Sequence, residues 1–482
     1  MAPIVLDGAT LTPDAVTRIA REDASVELAA VARERNEAAR RAVAAVLARG
    51  EDLYGASTGV GPLRTHRIDA PDRADHQLAL LRSHACGAGR PLPAELVRAA
   101  MATRANQLGA GGAGVSDELL GALVAALNAD IVPVTRELGS LGTGDLTALA
   151  DIALALLGEG EAGAQLRAAG VPPARLGPRD GLAFMSSNAV TVAHAALLVT
   201  DTHALLDSWL TVAALSFEAA AADVVVLDPR IHAGRHLRGQ VAVAARMREL
   251  LAGVERRARE HSAAHVQDPY PFRALPQVDG VVHEALTALD NVVTHELNFA
   301  GENALIVAVD DVALANGNPH AAVLANAIDG LRTALAQSAA LIAARVSTLL
   351  DASLTGLPAF LALDPGPESG ALILEYTAHA AAAEVRSLVT PVAAQSVSVA
   401  RGVESHASLA PIAARRAHDA LEALRVLVAV ELVAAVRALR LAGHEPVGAG
   451  TRALYTRAAD TLPDDMRDRP LAPDIELARG LI

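Results

Sequence analysis

The sequence predicts a mainly α-helical protein: an elongated antiparallel helical bundle joined to a smaller, loop-rich N-terminal α region. Three observations lead to that expectation. Of the 482 residues, 52% are hydrophobic and only 2% aromatic. Much of the apolar fraction is alanine, which favours closely packed helices over a β-sandwich. Long alanine- and leucine-rich segments dominate from about Ser187 onward, whereas glycine-rich loops cluster in the first half.

Taken in chain order, residues 1–186 are expected to form an N-terminal domain in which short helical patterns alternate with the loops Tyr54–Gly61, Gly109–Gly114 and Gly139–Gly144. Glycine permits backbone angles and close approaches that other side chains block, so these loops are candidate site builders. Residues 187–444 are expected to form the central bundle, with helical segments Asn188–Ala221, Gly239–His265, Leu324–Ala352, Gly370–Leu388 and Pro411–Ala442. In the last of these, Leu421, Leu424, Val428 and Leu432 recur at spacings of three and four, the period of one helix face. Segments this long suit an antiparallel bundle, and apolar surface extending around them implies bundles packed into an oligomer. Proline loops at Asp228-Pro229, Asp268-Pro269-Tyr270-Pro271 and Asp364-Pro365-Gly366-Pro367 predict helix ends. Residues 445–482, richer in charge and proline, read as a C-terminal tail wrapping the surface.

Composition also narrows the function. A formal net charge of −14 with no cluster of basic residues argues against nucleic-acid binding, because phosphate neutralisation needs clustered Lys and Arg. Cys86 is the only cysteine, so no intrachain disulfide and no cysteine-based zinc site is possible, and no metal is expected. The first residues lack the basic start and apolar core of a signal peptide. The uncharged stretch Gly181–Thr200 contains Ser186, Ser187, Asn188, Thr191 and His194, and reads as a buried helix entry, not a membrane span. A cytoplasmic protein with no membrane partner is expected.

The loop Gly139-Ser140-Leu141-Gly142-Thr143-Gly144-Asp145-Leu146 resembles the G-S-V-G-A-S-G-D-L loop of the histidine and aromatic amino-acid ammonia-lyases, one residue shorter. Other stretches resemble the same family in the right order: Tyr54–Gly61, Ser83-His84-Ala85-Cys86-Gly87, Arg104-Ala105-Asn106, Gly158-Glu159-Gly160-Glu161, Asp228-Pro229-Arg230-Ile231-His232 and Val266-Gln267-Asp268-Pro269-Tyr270. The resemblance implies a carbon–nitrogen lyase or aminomutase, a homotetramer with sites shared between subunits, and a small carboxylate-bearing substrate. It implies Tyr54 as the base removing a β-proton, Tyr270 as an acid or orienting phenol, and Arg273 as a bidentate clamp on the carboxylate. By the same resemblance Glu404, in Val403-Glu404-Ser405-His406, and His84 read the substrate side chain, favouring imidazole or phenol. Ser186 and Gln267 complete the substrate-binding set.

In that family Ala-Ser-Gly cyclises into an electrophilic methylidene-imidazolone (MIO). Here the trio in register is Gly142-Thr143-Gly144. Dehydrating a threonine leaves an ethylidene whose extra methyl crowds the carbon a substrate amine must attack, and the missing residue removes up to roughly 3.5 Å of reach. A standard MIO is therefore not expected; a threonine-derived variant is the alternative. Asparagine of the N-G-T-Q segment is read as Ser186, G-N-F-H becomes Gly317-Asn318-Pro319-His320, and D-N-P-L becomes Glu302-Asn303-Ala304-Leu305. The positions that build the electrophile differ, while Tyr54, Tyr270, Arg273 and Glu404 are retained. The expected chemistry is C–N cleavage or a related elimination or isomerisation on an amino-acid-derived carboxylate that is already activated. The alternatives are an ordinary histidine- or tyrosine-type lyase with the ethylidene group, and a silent ligand-binding homologue. The plain structural reading of Gly142–Asp145 is a helix entrance capped by Asp145 or Thr143.

Overall fold

The computed structural model describes residues 2–255 and 267–482, and the chain is mainly helical, as expected, with short two-stranded pairs. It divides into two compact units. The first comprises Met1–Thr200, Leu289–Ile328 and Pro391–Arg415; the second comprises Asp201–Ala288, Asp329–Thr390 and Arg416–Ile482. Four long helices, Ala189–Ala219, Leu275–Leu297, Ala322–Leu350 and Ala410–Ala442, carry residues of both units.

In the first unit, strand Ile4–Leu6 pairs in parallel with Val26–Leu28, Ile4 opposite Val26. Ala88–Pro91 runs antiparallel to Arg136–Leu138, and Leu305–Val307 antiparallel to Val312–Leu314. Helix ends follow local chemistry: Thr12 Oγ1 accepts from Ala15 N at 3.2 Å, and Ser116 Oγ accepts from Leu119 N at 3.3 Å. Helix Ala94–Gly109 is buried almost all round, which explains its lack of an amphipathic stripe. Its Arg104 is consequently buried as well, and survives there only because it is paired: the guanidinium meets Glu302 at 3.0 Å and donates to Phe184 O at 2.8 Å. Asn106 on the same helix accepts from Gly8 N at 2.9 Å and donates to Leu297 O at 2.9 Å. The Arg104-Ala105-Asn106 stretch thus ties core segments together.

The second unit is held by a polar network inside its apolar packing. Arg345 grips Glu431 bidentately, at 2.7 and 3.0 Å, and Ser216 Oγ donates to the same carboxylate at 2.8 Å. Ser338 Oγ donates to Asp279 at 2.6 Å. Burial pushes the Asp279 carboxyl up to about 6, although the Arg345 charge and the Ser338 hydroxyl both favour its ionised form. Leu421, Leu424, Val428 and Leu432 are all fully buried, as their spacing predicted. Residues 445–482 form helices Thr451–Thr461 and Ala472–Arg479, with Glu218 accepting from Val447 N at 2.6 Å.

Some element expectations need correction. The helix expected over Gly239–His265 runs from Arg238 to Leu250 and stops at a turn; its last residues lie outside the described range. Helix Leu275–Leu297 was not anticipated, although Val278, Val282, Leu286, Leu289, Val293 and Leu297 keep a helical period. Asp228-Pro229 and Pro269 mark helix starts: Asp228 caps Arg230 N at 2.9 Å, with Pro229 at the first helical position. The stretch Asp180–Ala219 and helix Ala322–Leu350 are long and apolar enough to cross a membrane, and 89% and 67% of their most apolar windows are buried inside the protein.

Candidate active site

The loop Gly139–Asp145 joins strand Arg136–Leu138 to helix Leu146–Leu156, so its backbone groups must find partners outside regular structure. Gly142 has φ +86° and Gly144 φ +120°, conformations that favour glycine. The Gly142 carbonyl accepts from Ser408 Oγ at 2.9 Å and from Ala321 N at 3.1 Å. Leu409 N donates to Leu141 O at 2.9 Å. Gly144 N donates to Asn188 Oδ1 at 3.0 Å, while the Asn188 amide donates to Pro319 O at 2.6 Å. Thr143 Oγ1 donates to Glu404 Oε2 at 2.8 Å. Three sequence-distant segments, 187–191, 317–321 and 404–410, therefore cradle the trio.

Asp145 caps a different helix from the one expected. Its backbone starts helix Leu146–Leu156, but its side chain makes no capping bond there. The carboxylate instead accepts from Thr191 N at 2.7 Å, Thr191 Oγ1 at 2.9 Å and Ser140 Oγ at 2.6 Å, at the N-terminus of helix Ala189–Ala219. Thr143 does not cap either, its hydroxyl being taken by Glu404. Burial pushes the Asp145 carboxyl up, against those hydrogen bonds. Two loops are thereby locked to each other through one buried acid.

The asparagine contact is a second correction. Sequence register placed Ser186 where the family has its asparagine; in the structure Asn188, two residues on, reaches the loop at Gly144 N. Ser186 is buried at the end of helix Asp180–Met185. Neighbouring Ser187 donates to Gln107 at 2.6 Å and accepts from Ala189 N at 3.0 Å, which opens the long helix.

Tyr54 lies in the turn after Leu53, and Gly61 N donates to its phenolic oxygen at 2.8 Å. That bond fixes the ring's polar end while leaving its own proton to another partner. Buried Gln77 holds the same loop: its amide donates to Gly55 O at 2.6 Å and accepts from Leu182 N at 3.0 Å. Sequence reasoning missed Gln77, since nothing distinguishes one glutamine on a helix until its partners are known. His84 closes helix Arg73–His84, half-buried, with Nδ1 2.8 Å from Leu80 O. A carbonyl only accepts, so Nδ1 carries a proton and Nε2 is left as an acceptor in the neutral ring.

Tyr270 and Arg273 belong to the second unit, on the single-turn helix Tyr270–Arg273. The Arg273 guanidinium carbon lies 5.1 Å from the Tyr270 ring centroid, and Nε donates to Asp268 O at 2.8 Å. With Nε used, the two terminal nitrogens retain the fork that a carboxylate needs. Gln267 is exposed in the bend before that helix, and Val266 of the same motif lies outside the described residues. Among the described residues no cluster of three or more His, Cys, Asp or Glu could hold a metal.

The trio can be tested directly against the MIO group. Its first residue is alanine in the standard precursor, and a Cβ built on Gly142 overlaps Ser408 Oγ and presses on the backbone nitrogens of Ala410 and Leu409, at 3.1 and 3.2 Å. An alanine side chain at the first position of the trio therefore meets Ser408 and the backbone that follows it.

Known proteins resemble this chain over nearly its whole length. Residues 11–460 match the family described as aromatic amino acid lyase. A histidine ammonia-lyase from Geobacillus thermodenitrificans is 36% identical, covering 98% of this chain and 96% of that protein. Among solved structures, the ergothioneine-degrading enzyme ergothionase from Treponema denticola, in complex with desmethyl-ergothioneine sulfonic acid, superposes with TM-score 0.93 at 28% identity, covering 100% of this chain and 98% of that one. A tyrosine aminomutase from Streptomyces globisporus gives TM-score 0.94 at 30% identity, covering 99% and 96%. Family model, full-length relatives and fold agree: the chain is a carbon–nitrogen lyase of the aromatic amino acid lyase family.

Proposed function

We propose that this enzyme eliminates a tertiary amine from an imidazole-bearing amino-acid betaine, without a standard MIO group. The observation that carries the reading is the Gly142–Gly144 loop, where an alanine Cβ has no room and the Thr143 hydroxyl is held by Glu404 at 2.8 Å. An electrophile serves such a reaction by turning an amine into a leaving group. A trimethylammonium is already one, so the chemistry left for the protein is proton removal and positioning.

In this reading Tyr54, as phenolate, takes the β-proton of the substrate. The C–H electron pair becomes the Cα–Cβ double bond, and the Cα–N bond breaks with its pair on nitrogen, which departs as a neutral amine. Arg273 holds the carboxylate and Tyr270 orients the reacting carbons. Glu404 and His84, with Ser186 and Gln267, read the ring. Support for the betaine comes from the likeness to ergothionase, since ergothioneine is a trimethylammonium betaine of a sulfur-bearing histidine. Family resemblance further supports a cytoplasmic homotetramer with sites shared between subunits.

A second reading is favoured by specific observations: the histidine ammonia-lyase relatives, and a Gly142 carbonyl polarised by two donors as a cyclisation would require. It makes the chain a histidine lyase with a threonine-derived group. One experiment separates the readings. Purified protein is weighed intact and as the peptide containing Thr143, then incubated with histidine, its trimethyl betaine and ergothioneine while ammonia and trimethylamine are measured. The proposal expects the encoded mass and trimethylamine release. A deficit of two waters with ammonia from histidine would replace it by the second reading, and ligand binding without turnover would leave a silent homologue.

A further inference from the structure

His320 and His406 face each other beside the trio: His320 Nε2 lies 2.9 Å from His406 Nδ1, with ring centroids 5.0 Å apart and planes at 36°. Each sits on one of the segments that hold the Gly142 carbonyl. Ala321, whose N–H donates to it, follows His320 directly; Ser408, whose hydroxyl donates to it, lies two residues after His406. Glu404, which takes the Thr143 hydroxyl, lies two residues before His406. A hydrogen bond between two imidazoles requires a lone pair on one of them. When both rings are protonated both nitrogens are donors, the bond is lost, and two cations are left in contact.

We propose that His320 and His406 are positioning residues forming a proton-sensitive latch, which joins segment 317–321 to segment 403–409 and so holds Gly142 and Glu404 in their working arrangement. The bond is intact while the pair carries at most one extra proton and opens when it carries two. Neither ring has another hydrogen-bond or ion-pair partner among the described residues. The charged side chains on the His406 segment and on the turn packed against it are Glu404, engaged by Thr143, Arg401 on Ala400–Gly402, and Arg64 directly after Gly61–Leu63; Gly317–Ala321 carries none. The latch rests on the reading of Gly142–Gly144 as part of the active site only for its effect on turnover.

Two measurements test it on the full-length protein. Hydrogen exchange is followed on peptides covering 139–146 and 403–412, corrected for intrinsic rates, between about pH 8 and about pH 5, the range in which imidazole changes charge. In wild type, protection should fall by about tenfold or more on acidification, with kcat falling alongside it and KM moving less. In His320→Gln/His406→Asn, whose amides place donor and acceptor where the ring nitrogens were, protection should be retained across the range. His406→Ala should be poorly protected at both ends, with unchanged helix content. Wild-type protection that ignores pH, or the same acid loss in the Gln/Asn protein, would overturn the latch. Exchange needs no substrate, so failure of the betaine reading and failure of the latch are separately visible.

Discussion

Restoring the family's alanine at the first position of the trio, Gly142→Ala, should damage the loop instead of repairing it. At φ +86° an L-residue is strained by about 1–2 kcal/mol. The new Cβ overlaps Ser408 Oγ, so that hydroxyl must rotate away and forfeit its 2.9 Å bond to the Gly142 carbonyl, about another 1 kcal/mol. The expected local destabilisation is about 2–3 kcal/mol. Native-state hydrogen exchange at Leu409 N–H, which donates to Leu141 O at 2.9 Å, and at Gly144 N–H reads it directly. Adding Ser408→Ala should remove the steric part, so that alanine at 142 costs less in that background. A Gly142→Ala protein whose loop amides stay within about 0.5 kcal/mol of wild type would refute the argument that this position cannot hold a Cβ.

Other consequences follow from the same geometry. Tyr54→Phe loses one hydrogen bond, from Gly61 N, and should keep its helix content while turnover drops by about 10²–10⁴-fold, as removing a general base does; unchanged turnover excludes that role. Arg273→Ala should lower kcat/KM about 10–100-fold, mainly through KM, because the loss is of charge-assisted hydrogen bonds to a carboxylate; an effect confined to kcat would exclude a clamp. The Asp279 carboxyl is raised from 3.8 to about 6 by burial, so the folded protein binds its proton more tightly than the unfolded chain does. Its contribution is greatest below about pH 4 and is lost as pH rises towards about 6, and Asp279→Asn should flatten that part of the stability–pH curve in denaturant titrations.

The helices were legible because their packing is written locally. Leu421, Leu424, Val428 and Leu432 announce a buried face by spacing alone. Leu275–Leu297 carries the same period, partly masked by the proline-rich segment that precedes it. The opposite error falls on 251–255, where alanine- and leucine-rich composition suggested helix and the described chain makes a turn. In the candidate site, the motif resemblance singled out Tyr54, Thr143 and Glu404, but not that Thr143 and Glu404 touch, since 261 positions separate them. Gln77, Asn188, His320 and His406 were invisible as a group for the same reason.

The sequence by itself determined the helical class, the family, and the fact that Thr143 stands where the family's electrophile is made. Tertiary structure decided what surrounds that threonine: Asp145 turned to the N-terminus of the long helix, Asn188 in place of Ser186 at Gly144, and Ser408 filling the space above Gly142. Helix class follows from periodicities of three and four residues, which any short window contains. The fit of a Cβ or the partner of a hydroxyl depends on segments brought together only by folding, and no local pattern names those segments.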